Sequence, residues 1–332
     1  MAKEITVASE CETSIDSRKK SDRRKKWDKF IRKDKIVFND KFAQAVFLLP
    51  AILVFSVFTV YPAFTSLYYS FTDWTGIGTN YNFVGFANYA EMFRDKNLFQ
   101  TLPVTFYYAA LNAVTLLFVA FFIALMLNRQ SIFTGFMRVC FFIPMLVSPL
   151  IVGFVFKEFC APTVGDETGS LNKILMQIGL GFLSTNWLGN EYTAMIVIVL
   201  TGVWYQVGQT ALIYLATMQG ISAEYDEAAT LDGAGYWKRT YHITWKLMGP
   251  ALMVNTILLL INSLKQYDMI ALLTNGGPGT STKVINLAIV ELSIASQKVG
   301  LGCAMSMVVT AFTFVLVSVT QKLLSRRATA HD

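Results

Sequence analysis

Long runs without a charged residue set the solvent for this chain. Between consecutive Asp, Glu, Lys and Arg, six stretches could cross ~30 Å of hydrocarbon as a helix, which takes roughly 18 to 20 residues. They are Phe42 to Thr72, Asn97 to Asn128, Val139 to Phe156, Tyr192 to Ala223, Leu247 to Leu264 and Val299 to Gln321. With 54% hydrophobic residues and a mean hydropathy of +0.47, the chain carries more apolar surface than one soluble core of 332 residues would use. The expected fold class is all-α, a polytopic membrane protein with six transmembrane helices. The longer stretches have polar or turn-like ends, so each reads as one helix. A shorter stretch, Ile174 to Asn190, contains Gly179, Gly181 and Gly189 and is placed outside the bilayer as a surface or re-entrant segment. Phe42 to Thr72 is not a cleavable signal peptide, since 41 residues precede it and it runs through Pro50 and Pro62.

Six spans put both termini on one side, together with the loops after the second and fourth spans. That side holds 21 of the 28 Lys and Arg, so the positive-inside rule makes it the cytoplasm. The expected location is the cell membrane, multi-pass, with both termini cytoplasmic. Residues 1–42 form a basic tail, with eleven Lys or Arg between Arg18 and Lys35. Such a segment before a span fixes topology and rests on anionic headgroups, so lipid rather than nucleic acid is its expected partner. Trp27, Phe30 and Ile31 share a helical face there, which suits an interfacial helix. A transmembrane domain over 43–325 and a short cytoplasmic tail over 326–332 complete the expected organisation.

Little in the chain suggests catalysis. The run Asn275 to Lys283, NGGPGTSTK, lacks the Gly-Lys-Ser/Thr of a phosphate-binding loop, and the topology puts it outside, away from ATP. His242 and His331 are the only histidines, and neither lies at membrane depth. Cys11, Cys140, Cys160 and Cys303 are scattered without C-x-x-C spacing, so neither a metal site nor a disulfide is expected. Lys265 and Asp268, at i and i+3 near the outer end of the fifth span, suit a mutual salt bridge.

The cytoplasmic loop 222–246 has a more definite pattern. Ser222 is placed to cap a helix whose first turn holds Glu224, Asp226 and Glu227, acids that favour the positive end of the helix dipole. Ala228, Ala229, Gly233 and Ala234 keep its surface thin, so a second protein can come close. A connector between membrane helices does not need that.

This stretch resembles the EAA loop of ATP-binding-cassette (ABC) importer permeases: Glu-Ala-Ala, three spacers, Gly, nine spacers, then Ile-x-Leu-Pro. Glu227, Ala228, Ala229, Gly233 and Ile243 fall in register, and Asp232, Gly233 and Ala234 match the Asp-Gly-Ala of the carbohydrate-uptake branch. Trp245 and Lys246 stand where that pattern has Leu-Pro. Further residues similar to maltose-type sugar permeases are Tyr61-Pro62, Ser70-Phe71, Trp74, Val84-Gly85-Phe86, Asn88-Tyr89, Trp204, Gly208 and Thr274 to Pro278 with Ser281-Thr282. The resemblance runs from about Phe42 to the C-terminus.

The resemblance implies the type I ABC importer permease fold and a half-pore. A second homologous permease supplies the other half. An ATP-binding-cassette ATPase dimer binds ATP and Mg, leaving no cofactor in this chain, and an extracellular or periplasmic sugar-binding protein delivers the cargo. Glu224, Glu227, Ala228, Ala229, Asp232, Gly233 and Ala234 are then the expected ATPase-coupling residues. A sugar path needs hydrogen-bonding groups near midplane. Gly202, Gln206 and Gln209 share one face of the fourth span, and Asn262, Ser263 and Gln266 one face of the fifth. These six are the expected substrate residues. Another polar solute such as glycerol phosphate is the alternative cargo. A secondary transporter would want ionisable groups at midspan and internal repeats, and the chain shows neither clearly.

Overall fold

The computed structural model describes residues 40–129, 132–163 and 168–328, with side chains from residue 46 to residue 325. The polybasic stretch, its Trp27, Phe30 and Ile31 face, and His331 lie outside the described residues. The chain divides into two compact units between Phe64 and Thr65.

In the first unit α1 (Asp40–Phe55) runs through Pro50 into a π turn at Ser56–Val60. It continues as α2 (Tyr61–Tyr69), which carries the chain into the second unit, and Val46–Tyr69 is long and apolar enough to cross a membrane. In the second unit α3 (Ala87–Arg94) leads to α4 (Lys96–Asn128), which Asp95 caps by accepting from Asn97 N at 2.8 Å. The long α8 (Glu191–Gln219) opens with Asn190 accepting from Tyr192 N and stops at Gly220. α15 (Val299–Ala328) closes the chain.

Among the described residues, four helices are long and apolar enough to span, and two bent pairs bring the number to six. The first pair departs from the expected continuous span Val139 to Phe156. α5 (Thr134–Phe142) and the turn that follows meet α6 (Pro149–Phe159) at 100°. Pro149 forces this, because a residue before proline is pushed out of the helical region and Ser148 is extended there. α7 (Ser170–Gln177) and a 3₁₀ turn at Gly181–Leu183 occupy the stretch read as a surface segment.

The second bent pair joins Tyr236–Leu247 to α12 (Gly249–Leu264) at 66°. α12 ends at Leu264, and α13 (Asp268–Leu273) starts anew. The break removes the i, i+3 geometry, and among the described residues the ion pairs Arg239–Asp226, Lys283–Glu291 and Lys298–Glu91 include no Lys265–Asp268 bridge. α14 (Ile285–Val290) is pinned by Ile285 N donating to Thr105 Oγ1 at 2.9 Å.

The core of the second unit is α4 packed along α8, with α12 against both and α15 behind α12. Leu116, Ala120, Ala124, Ile198 and Ala211 are fully buried at these contacts. Small residues let the backbones close in, which is how helices associate in lipid without a hydrophobic drive between them. A Cβ on Gly208 would sit 2.4 Å from the Phe141 carbonyl oxygen, so only glycine lets α8 approach α5 there.

Candidate functional site: a polar cleft and a coupling helix

Two places in the second unit carry chemistry. The first is a cleft of about 250 Å³ between α8 and the C-terminal end of α12, lined by Gly202, Gln206, Gln209, Asn262 and Gln266. The facing stripes of the fourth and fifth spans therefore meet. Three polar groups of α4 and α8 converge beside Gly202: a Cβ there would stand at ordinary contact distance, 3.4 Å from Asn112 Oδ1 and 3.8 Å from both Gln206 Nε2 and the Tyr108 hydroxyl.

Ser263 faces elsewhere. It is buried and accepts from Asn112 Nδ2 at 2.9 Å, which ties α4 to α12. Asn112 Oδ1 is buried with no hydrogen-bond partner among the described residues. Tyr108, Tyr205, Pro149 and Met269 also line the cleft, as do Lys265 and Asp268. The cleft thus holds one cation and one carboxylate beside its amides, because the break after Leu264 turns both toward it. Tyr108 brings the second span in as a third wall, with Asn112 one turn further on behind it, bonded to Ser263.

The second place is α9 (Ala223–Leu231). Ser222 Oγ accepts from Glu224 N at 3.4 Å, and Glu224 and Asp226 occupy the first turn. At the other end Gly233 has φ +72°, and Ala234 N donates to Ala229 O at 2.9 Å. Glycine at this left-handed position ends the helix without strain. Glu224, Glu227, Ala228, Asp232 and Gly233 are exposed, with Ala229 and Ala234 half-buried. Leu231 is 90% exposed, so this chain leaves the helix tip uncovered.

α10 (Tyr236–Arg239) is held to α9 by Arg239. Its Nη1 donates to Thr230 Oγ1 at 2.9 Å and lies 3.9 Å from Asp226 Oδ1. Next come a π turn at Thr240–Thr244 and α11 (Trp245–Leu247). Trp245 packs edge-on against Phe121 of α4, with ring centroids 5.0 Å apart. Where the EAA pattern has Leu-Pro, an aromatic anchor stands instead, and Gly249-Pro250 makes the bend into α12.

Residues 70–89 and 274–282 are tied as tightly. Asn88 Nδ2 donates to the carbonyls of Ser70 and Thr72, and the Ser70 hydroxyl bonds the Tyr89 hydroxyl at 2.8 Å. In the NGGPGTSTK run the Thr282 hydroxyl donates to Gly277 O at 2.7 Å and meets Thr274 Oγ1 at 2.8 Å. That loop spends the Thr282 hydroxyl on itself, while Ser281 Oγ is buried without a hydrogen-bond partner among the described residues.

Residues 116–329 match the family described as binding-protein-dependent transport system inner membrane component. The chain belongs to that family. Among relatives of this permease, the probable ABC transporter permease protein YurN of Bacillus subtilis is 31% identical, over 82% of this chain and 92% of that protein. The multiple sugar-binding transport system permease protein MsmF of Streptococcus mutans is 29% identical, over 85% and 94%. A bacterial alginate ABC transporter, solved in complex with an alginate pentasaccharide-bound periplasmic protein, matches in fold with a TM-score of 0.76 at 21% identity, over 87% of this chain and 96% of that one. The permease has the type I ABC importer fold.

Proposed function

We propose that this permease forms half of the translocation path of an ATP-driven oligosaccharide importer. The observation that carries this reading is the cleft where Gly202, Gln206, Gln209, Asn262 and Gln266 converge. Amides both donate and accept, which suits the mixed hydroxyls of a sugar. Lys265 and Asp268 extend the same logic, a strong donor and a strong acceptor for vicinal hydroxyls. The names of the relatives support a sugar as cargo.

A second, homologous permease closes the path, and an ATPase dimer that binds ATP and Mg docks on Glu224, Glu227, Ala228, Ala229, Asp232, Gly233 and Ala234. An extracellular or periplasmic sugar-binding protein delivers the cargo, and the coupling loop lies with both termini in the cytoplasm. Residues 1–42 and 326–332 are tails outside the transmembrane domain. The test is uptake by proteoliposomes. Labelled oligosaccharide should enter only when this chain, a second permease, the ATPase, the binding protein and ATP are all present. Uptake without the second permease would overturn the half-pore, and uptake without ATP would make the chain a secondary transporter.

A further inference from the structure

A second polar cavity, of about 660 Å³, opens at the coupling-loop end of the helices, lined by Leu127, Arg129, Ile132, Gly135, Arg138 and Gln219 among others. Two arginines line it, and none of its lining residues is acidic. Arg138 lines the cavity, and its Nε is buried without a hydrogen-bond partner among the described residues. Arg129 lies over the Tyr236 ring at 4.3 Å, a stacking that leaves the edge of the guanidinium free to donate. A Cβ on Gly135 would meet nothing within 4 Å. The cavity is basic and roomy.

Its rim is apolar. Ile132 is 92% exposed, Phe136 71% and Val139 53%, all on or just before α5. A free phosphate would use the arginines and leave this surface in water. An amphiphile uses both. We propose that the cavity binds the phosphoryl headgroup of an anionic phospholipid, whose acyl chains run along α5. Because Arg129 also stacks on Tyr236 of α10, the lipid would hold the end of α4 and the coupling loop in one arrangement. The proposal rests on the function above only for the leaflet concerned, the cytoplasmic one.

The test is lipid retention, which needs no transport. The full chain, extracted with the subunits that co-purify with it, is equilibrated with vesicles of equal phosphatidylglycerol and phosphatidylcholine. Bound lipid is then counted by native mass spectrometry. The wild type should keep phosphatidylglycerol over phosphatidylcholine. At roughly a fivefold effect per arginine near an anionic surface, Arg129→Gln with Arg138→Gln should lower retention roughly twenty-fivefold. Gly135→Leu should lower it with both arginines in place, and Arg138→Lys should keep most of it, which separates a lost site from a lost fold. Equal retention of the two lipids, or retention unchanged in both the double variant and Gly135→Leu, would overturn the site. Displacement of the lipid by millimolar inorganic phosphate would overturn the lipid assignment in favour of a free anion.

Discussion

Asn112 Nδ2 donates to Ser263 Oγ at 2.9 Å across the interface of α4 and α12, directly behind the cleft. Both residues are buried, so the bond has no water to replace it. Ser263→Ala should cost about 1–3 kcal/mol, because it leaves a buried amide donor unpaired. Adding Asn112→Leu should recover much of that loss, since removing both partners is far cheaper than removing one. Thermal unfolding in detergent measures the first effect and its recovery. Loss of uptake by Ser263→Ala at unchanged stability would instead place Ser263 in the cargo path.

The amides of the cleft should behave in the opposite way. Gln206 and Gln266 are only half-buried and line open space, so Gln206→Leu or Gln266→Leu should spare folding and co-purification with the ATPase. Each change removes a donor and an acceptor that a sugar would use, and uptake should fall at least tenfold per residue, the scale set by an unpaired polar group in the bound state. Kinetics identical to wild type in both variants would show that the amides only bind neighbouring helices.

How much of this was legible in the sequence depends on what each feature needed. The spans follow from runs without charge, and α9 from Ser222, its acids and Gly233, all local signals. Gln206 could be placed on its stripe because that stripe obeys helical spacing, whereas Gln266 lines the cleft from beyond the end of α12 at Leu264, where helical spacing no longer applies. Ser263 could not be separated from Asn262 by spacing, since adjacent residues point about 100° apart and only the packed position of α4 decides which faces the cleft. Lys265 and Asp268 read as an ion pair until the helix broke between them. The bend at Ser148-Pro149 carried its own signal in the proline, but an unbroken apolar run hid it.

Coupling should depend on Arg239 as well as on the helix it braces. Thr230, Asp226 and Arg239 hold α9 and α10 as one piece, so Arg239→Ala should loosen the coupling loop while leaving the spans intact. The ion pair is exposed and contributes under about 1 kcal/mol to stability. ATP hydrolysis stimulated by the loaded binding protein should nonetheless fall. Glu227→Lys should uncouple in the same assay, through charge rather than shape. Full stimulation in both variants would separate this loop from the ATPase.

Trp245 offers a test of how the fifth span is entered. Its ring meets Phe121 edge-on, and such aromatic pairs add about 0.5–1.5 kcal/mol beyond the area they bury. Trp245→Ala should therefore lower the thermal midpoint, and Phe121→Leu should lower it less once Trp245 is gone. Additive losses from the two changes would mean that the rings do not act as a pair.

The loop around Asp73 should respond to acid. Asn82 N donates to Asp73 Oδ1 at 2.6 Å and Asn82 Nδ2 to Oδ2 at 3.0 Å, and these bonds hold the Asp73 carboxyl below its ordinary value. A group whose folded pKa is depressed releases its proton more easily when folded, so the unfolded loop binds more protons in the window between the two values. The contribution of Asp73 is complete above the unfolded pKa near 4 and is lost as pH falls through the lower, folded value. Hydrogen exchange at the Asn82 amide, followed from pH 6 down to pH 3, should show protection fading only below about pH 4. Asp73→Asn should remove that pH dependence while keeping one acceptor for the Asn82 amide. Protection that fades at the same pH in the variant would assign the transition to another carboxylate.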